Sequence, residues 1–502
     1  MTVYNINLGI GWASSGVEYA QAYRSTVFRK CQIPAKFVFT DLFLQDNLSD
    51  LTRNLGFSDE DIIWLYTHFT DLKIAPTTFK LSDLETTIPY EITKREIFGK
   101  TVKLFCDKND IFYTAYLNKE GEDIVHRVEQ VSRGSLIRKD YYSYTKMFTE
   151  YYTPRDNAAY LYQRRFFNED GTVAYDEIID GKDSVFRFKD RILSSKEEFI
   201  AYFMQTLNLT SQDIVILDRA TGTGQAVFAN VKPAKLGVVV HAEHYSYNGT
   251  TDRDILWNNY YDYQFTNADK VDFFIVATDK QNQVLSQQFA KYTNHRPNVV
   301  TIPVGSIDKL RYPTNIRKPF SIVTASRLAT EKHVDWLVKA IVKLQEAFPQ
   351  VTFDIYGKGG EESKISQIIK DNKAENYVRL CGHQQMTDVY QNYELYLSGS
   401  KSEGFGLTLL EAIGAGLPLI GFDVPYGNQT FIRDGKNGFL IPAFETNDEA
   451  TIVASFVDKL TQFFAIEDKT EFHKTSYQLA KNYLTSEVEE KWQALVKEMI
   501  HD

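Results

Sequence analysis

From residue 320 onward one local pattern recurs: a short, mostly apolar run, a loop of small and polar residues, then a stretch with helical periodicity. The runs are Phe320-Ser-Ile-Val-Thr-Ala, Val351-Thr-Phe-Asp-Ile-Tyr, Tyr377-Val-Arg-Leu-Cys, Tyr393-Glu-Leu-Tyr-Leu and Pro418-Leu-Ile-Gly. Runs this short suit strands covered on both faces, the habit of parallel sheets. Between them lie helical stretches such as Val334 to Phe348, which ends before Pro349. The pattern commits this half of the chain to α/β layers. It also says where a ligand would sit: beyond the carboxyl ends of the strands, where loops pass into helix N-termini.

The chain begins in the same way. A first strand ends in the Gly-rich turn Gly9-Ile-Gly-Trp-Ala-Ser-Ser-Gly16, followed by a predicted helix from Val17 to Arg29 and a strand over Lys36-Phe-Val-Phe-Thr40. From 76 to 205 the character changes. Tyr and Phe become dense, runs such as Thr101-Val-Lys-Leu-Phe-Cys106 alternate with period two, and turns such as Asn118-Lys-Glu-Gly-Glu, Asn168-Glu-Asp-Gly-Thr and Ile179-Asp-Gly-Lys separate them. Alternation punctuated by Asn/Asp-Gly clusters predicts antiparallel meanders. The parallel pattern returns at Asp213-Ile-Val-Ile-Leu-Asp and Lys235-Leu-Gly-Val-Val-Val-His241. The expected organisation is therefore a Rossmann-like domain in two parts (1–75 and 206–307), a β-rich insertion (76–205) as a partner or acceptor platform, a second Rossmann-like domain (308–485), and a C-terminal helix (486–502) returning to the first domain.

Gross properties exclude several classes. With 502 residues the chain exceeds what one hydrophobic core supports. A net charge of −10 argues against wrapping nucleic acid, whose phosphates demand excess Lys and Arg. Cys31, Cys106 and Cys381 stand far apart with no Cys-x-x-Cys pair, which reads as a reducing, cytoplasmic compartment without a disulfide framework. The N-terminus reads as a strand and not a leader, and no run reaches the roughly 18 apolar residues of a membrane span. Peripheral contact with the inner face of the membrane remains compatible with the composition.

Four segments fall at strand ends and carry complementary residue types. Ser326-Arg-Leu-Ala-Thr-Glu-Lys332 places two cations on a strand-to-helix loop, where they suit the charge that develops on a departing diphosphate. Tyr356-Gly-Lys-Gly-Gly360 permits a tight turn and close approach of backbone. Ser402-Glu-Gly-Phe-Gly-Leu-Thr-Leu-Leu-Glu-Ala412 sets Glu403 before a Gly-Phe-Gly turn and Glu411 on the second turn of the following helix. The free N–H groups of that helix start attract anions and sugar hydroxyls. His241-Ala-Glu-His244 ends a strand in the first half of the chain. An isolated Arg, Lys or Glu would be a solvated surface charge; their order on successive strand ends is what points to a nucleotide-sugar site.

In that order and spacing, Arg327, Lys332, Glu403 and Glu411 resemble the family-4 retaining glycosyltransferases with their Glu-x7-Glu signature, over residues 1–75 and 206–502. The resemblance implies two Rossmann-like domains facing across a cleft (GT-B). It assigns Arg327 and Lys332 to the diphosphate, Glu403 with Gly404, Phe405 and Gly406 to the sugar, and Glu411 to the ribose. His383 and Gln384 fall near the base, Gly16, Val17, Glu18 and Tyr19 near the phosphates, and His241 in the donor pocket. The catalytic group implied is Glu403, His241, Arg327 and Lys332, without a metal ion. Asp252-Arg-Asp254 is formally an Asp-x-Asp metal motif, but it follows no clear buried strand.

Two departures narrow the subgroup. Ser14-Ser-Gly16 stands where many relatives have paired glycines, and Tyr426-Gly-Asn-Gln-Thr replaces Gly-Gly-x-x-Glu. Bacterial subgroups with a β-rich insertion share the second feature, among them teichoic-acid α-glycosyltransferases and the accessory-Sec-system GtfA family. Asn5 to Arg24 and Trp64-Leu-Tyr-Thr-His-Phe-Thr-Asp-Leu-Lys-Ile-Ala-Pro76 are more similar to the GtfA family. That resemblance implies transfer of N-acetylglucosamine from UDP-GlcNAc to Ser/Thr of a serine-rich repeat adhesin before export, beside a non-catalytic GtfB-type subunit docked through 76–205. The alternatives are a teichoic-acid α-glycosyltransferase using UDP-glucose or UDP-GlcNAc, and a non-catalytic partner subunit.

Overall fold

The structure, a computed structural model, describes residues 1–11, 16–106, 110–443 and 448–501. Residues 12–15, within the Gly-rich turn, lie outside the described residues. By its contacts the chain forms two compact units, one of residues 1–239, 259–273 and 498–502, the other of 240–258 and 274–497.

In the first unit, parallel strands lie in the order Ile62–Trp64, Ala35–Phe39, Val3–Asn7, Ile214–Leu217 and Lys235–Val240. Helix Gly16–Lys30 follows the first strand in sequence. Beneath its first turns is a buried polar cluster. Arg24 donates to Asp218 at 2.5 Å, Gln21 donates to Asp218 at 2.7 Å, and Asn7 donates to Gln21 at 3.1 Å. The cluster ties the helix to the two central strands, between which the strand order reverses.

The insertion is a ten-stranded antiparallel meander from Lys94–Phe98 to Ile192–Leu193, every strand paired with its sequence neighbour. Its aromatic density is used in packing: Phe166 stacks on Tyr175 at 4.5 Å and Phe186 on Phe199 at 4.1 Å. Its register is marked by charge. Glu129, Lys139, Glu150, Arg164 and Glu177 stand opposite one another on successive strands. Lys139 meets Glu129 at 3.1 Å, and Arg164 reaches Glu150 at 2.9 Å and Glu177 at 3.0 Å. A one-residue slip would turn each charge to the opposite face, so the ladder penalises misregister.

The second unit holds six parallel strands in the order Val378–Gly382, Thr352–Tyr356, Ser321–Ala325, Leu395–Leu397, Leu419–Phe422 and Gly438–Ile441. In chain order this is 3-2-1-4-5-6, which reverses between Ser321–Ala325 and Leu395–Leu397. Helix Val334–Leu344 buries Leu337, Val338 and Ile341 against this sheet's core, to which helix Glu449–Phe464 adds Phe456, Leu460 and Phe463.

Residues 240–258 and 274–307 cluster with the second unit by their contacts. Ile307 N–H donates to Tyr483 O and Thr485 N–H to Ile307 O, each at 3.0 Å, while His244 and Tyr426 share a hydrogen bond. Most of the C-terminal helix Thr485–His501 likewise clusters with the second unit, and only its last residues with the first.

Candidate functional site

The strand reversal of the second unit is the crevice where a doubly wound sheet accepts a ligand. The loop after Ser321–Ala325 carries Arg327 and Lys332; the loop after Leu395–Leu397 carries Glu403. Lys332 Nζ donates to Glu403 Oε2 at 2.8 Å, and each side chain is only about a fifth exposed (22% and 20%). A cation and a carboxylate separated by 71 residues are thus joined across the reversal point. Arg327 is 71% exposed and donates to Glu331 at 2.8 Å. An exposed pair of this kind holds its partners weakly, so the guanidinium can be recruited by a stronger anion.

Glycines let these loops pack. A Cβ on Gly357, where φ is +135°, would lie 1.9 Å from Ser326 O, and one on Gly359 would lie 2.2 Å from Leu328 O. The Gly-Lys-Gly-Gly turn is therefore a bed for the Arg327–Lys332 loop, held by Ser326 N–H to Tyr356 O at 3.1 Å and Leu328 N–H to Lys358 O at 3.0 Å. Gly399 serves the other end of that loop, since a Cβ there would meet Lys332 O at 2.7 Å.

Glu403 is pinned through its backbone. Its carbonyl accepts from Tyr426 N–H at 3.0 Å and Gly427 N–H at 2.7 Å. Gly406, at φ +88°, turns the chain into helix Leu407–Gly414, while Phe405 packs edge-on against Phe431 in the core. Tyr396 braces the two loops: its buried hydroxyl lies 3.0 Å from Ala325 O and 2.9 Å from Thr408 Oγ1. Glu411 accepts from Tyr390 at 3.1 Å. Desolvation raises the pKa of its carboxyl above the ordinary value, against the opposing effects of the Tyr390 hydrogen bond and Arg311. His383 and Gln384 are exposed just beyond Val378–Gly382, and Gln384 donates to Cys381 O at 3.1 Å.

His241 packs beside this group: a Cβ on Gly404 would lie 3.0 Å from His241 O. Its loop is tied down three residues on. His244 is fully buried, with Nε2 2.7 Å from Gln288 Oε1 and Nδ1 3.1 Å from Tyr426 Oη. Because the amide oxygen can only accept, Nε2 carries the proton and Nδ1 accepts from the phenol. Burial depresses its pKa to about 4, which keeps the ring neutral. His244, Gln288 and Tyr426 were missed as a unit by sequence reasoning. The sole hint was that Tyr426 stands where a different motif is usual.

Gly16, Val17, Glu18 and Tyr19 belong to the first unit. Gly16 and Tyr19 are exposed there, whereas Glu18 is 4% exposed and meets Arg219 at 3.2 Å and Asn7 at 3.4 Å. Of the Asp-x-Asp pair, Asp252 meets Lys291 at 3.6 Å.

Comparison with known proteins adds the following. Residues 94–190 match the GtfA extended beta-sheet domain, and 306–472 match glycosyl transferases group 1. The chain is 56% identical, over all of its own length and all of the relative's, to the UDP-N-acetylglucosamine–peptide N-acetylglucosaminyltransferase GtfA subunit of Streptococcus pneumoniae serotype 4. A crystal structure of the pneumococcal O-GlcNAc transferase GtfA in complex with UDP and GlcNAc superposes with TM-score 0.91 at 56% identity, covering 100% of this chain and 99% of that one. A crystal structure of a GtfA/B complex matches with TM-score 0.97 at 56% identity and full coverage of both chains.

Proposed function

This chain belongs to the GtfA family of glycosyltransferases, and on that premise we propose how its second unit binds a nucleotide sugar and transfers it to a peptide. The chain is an α/β enzyme of the GT-B class that uses UDP-N-acetylglucosamine to glycosylate peptide, and it works beside a GtfB-type subunit. The observation that carries the site assignment is the Lys332–Glu403 pair at the strand reversal of the second unit.

In this reading Lys332 and Arg327 hold the diphosphate. Glu403 and the backbone of Gly404, Phe405 and Gly406 hold the sugar, and Glu411 accepts hydrogen bonds from the ribose hydroxyls. His383 and Gln384 flank the base. As UDP-GlcNAc arrives, its phosphates compete with Glu403 for Lys332, which frees the carboxylate for sugar hydroxyls. The acceptor Ser or Thr oxygen bonds to the anomeric carbon as the bond from that carbon to the phosphate oxygen breaks. The hydroxyl proton passes to the departing phosphate, and UDP leaves with retention. Two cations and the helix start at Leu407 supply positive potential, so transfer runs without a divalent ion.

The acceptor is a serine-rich repeat adhesin modified before export, and the enzyme acts in the cytoplasm, at the inner face of the membrane when peripheral. Among the described residues no helix is long and apolar enough to cross a membrane. The β-rich insertion docks the partner subunit.

The deciding experiment mixes the chain and its partner with a serine-rich peptide and UDP-GlcNAc in EDTA, and weighs the product. Addition of one N-acetylhexosamine per event is expected, lost in Lys332→Ala and Glu403→Gln. Transfer that requires added metal, or that survives either substitution at near wild-type rate, overturns the reading.

A further inference from the structure

His241 and Glu403 lie on separate loops of the second unit, and the donor pocket assigned above needs them in one fixed relation. The loops touch at Gly404, where a Cβ would lie 3.0 Å from His241 O. A single contact of that kind is a pivot about which either loop can still turn. Tyr426, which is 1% exposed, makes a second connection. Its phenol donates to His244 Nδ1 at 3.1 Å, three residues along the first loop from His241, and its backbone N–H donates to Glu403 O at 3.0 Å. From His241 through His244, Tyr426, Glu403 and Gly404 back to His241, the contacts close into a ring.

The ring is braced from outside on both sides. Helix Asp279–Tyr292 holds the first loop twice: Gln281 Nε2 donates to Ala242 O at 2.9 Å, and Gln288 Oε1 accepts from His244 Nε2 at 2.7 Å. On the second loop Gly427 N–H adds a 2.7 Å bond to Glu403 O, and a Cβ on Gly427 would lie 2.2 Å from Phe405 O. The rings of His244 and Tyr426 also stack, with centroids 5.8 Å apart and 19° between their planes. Both side chains are buried, so their hydrogen bond is not exchanged for one to water, and a lost donor would leave Nδ1 with its desolvation cost.

Tyr426 is also a position at which the chain departs from Gly-Gly-x-x-Glu. A glycine there would still give its backbone N–H to Glu403 but has no side chain to reach His244. The tyrosine thus adds the bond that turns a pivot into a closed ring. Arg327, Lys332 and Glu411, assigned to the diphosphate and the ribose, are not members of it. Loosening the ring should therefore be felt where the sugar reacts, where a displacement of about 1 Å costs on the order of 10²-fold in rate, and not in the binding of UDP.

We propose that Tyr426 is a positioning residue for sugar transfer: its phenol, through His244, locks the His241 loop to the Glu403 loop that its own backbone holds. The proposal rests on the assignment of His241 and Glu403 to the donor sugar. The side chain is buried and acts on the sugar through these two loops alone.

The test uses the full chain with its partner subunit, a serine-rich peptide and UDP-GlcNAc, with UDP binding read by calorimetry and folding by thermal melts. Tyr426→Phe keeps the ring and the backbone N–H and deletes one hydroxyl. It should lower kcat by about tenfold or more while the Kd for UDP stays within about twofold. His244→Ala should lose at least as much, and the double variant no more than His244→Ala, because both substitutions break the same bond. His244→Asn sets an amide oxygen in the place of Nδ1 and should recover most of the rate that His244→Ala loses. A kcat for Tyr426→Phe within about twofold of wild type, or a fall in UDP affinity that matches the fall in kcat, overturns the positioning role. So does an additive loss in the double variant. Glu403→Gln tells this failure from that of the site. If it turns over at the wild-type rate, the sugar assignment falls and the positioning role with it; if it is inactive while Tyr426→Phe is not, the positioning role alone falls.

Discussion

Substituting either member of the Lys332–Glu403 pair separates a structural role from a chemical one. The pair is a 2.8 Å contact between side chains about a fifth exposed (22% and 20%), between the limits of a solvated and a buried ion pair. Lys332→Ala leaves a half-buried carboxylate unpaired, which costs about 1–3 kcal/mol. Glu403→Gln keeps an amide oxygen that still accepts from Lys332, and costs under about 1 kcal/mol. Stability alone therefore predicts that the lysine variant is the worse of the two. The chemical role predicts otherwise: both substitutions remove groups placed on the reacting sugar phosphate, and each should lower kcat by about 10²–10³-fold.

Thermal melts followed by initial-rate assays with UDP-GlcNAc and a serine-rich peptide measure the two quantities on the same samples. Expected are a Tm lowered by about 3–10 °C for Lys332→Ala, a smaller change for Glu403→Gln, and large rate losses in both. A Glu403→Gln enzyme with kcat within threefold of wild type would refute the assignment of that carboxylate to the sugar. Rate losses that merely follow the fall in Tm would refute the chemical role of the pair.

Four further outcomes are expected. His244 is depressed to about 4 by burial against an ordinary value of 6.5, so between those pH values the unfolded chain binds more protons; stability is complete above pH 6.5 and falls towards pH 4, by roughly 2 kcal/mol between pH 7 and 5. Urea melts of wild type and His244→Asn at both pH values check this, and equal slopes would refute it. Gly357→Ala forces a Cβ to 1.9 Å from Ser326 O at φ +135°, and should destabilise by about 3 kcal/mol or more and impair UDP binding, read by melts and calorimetry. Glu411→Gln should raise the KM for UDP-GlcNAc by about tenfold or more with kcat less affected, because the carboxylate proposed to accept from the ribose hydroxyls becomes a neutral amide. Ile97 and Phe98 are 71% and 66% exposed on the edge strand of the insertion, and replacing both by Asp should abolish co-purification of the partner subunit while the chain's Tm is held.

Local pattern carried much of the fold. The run from Phe320 became Ser321–Ala325, the run from Tyr377 became Val378–Gly382, and the helix expected from Val17 became Gly16–Lys30. These elements were legible because apolar period, turn chemistry and strand length agree at each of them. The same agreement explains why Lys332 and Glu403 could be placed together, since a 3-2-1-4 strand order sets the loops after its first and fourth strands side by side. What stayed hidden depends on partners far away in sequence. Gly357 and Gly359 read only as a tight turn, and nothing local shows that their missing side chains make room for Ser326 and Leu328. His244 read as one more histidine at a strand end, yet it bridges Gln288 and Tyr426, which lie 44 and 182 residues away. Period and propensity report what an element is; which body it packs against is set by pairings that leave no local trace. The joint from His244 through Tyr426 to the Glu403 backbone is such a pairing: it joins residues 182 and 23 positions apart, and no period in the sequence announces it.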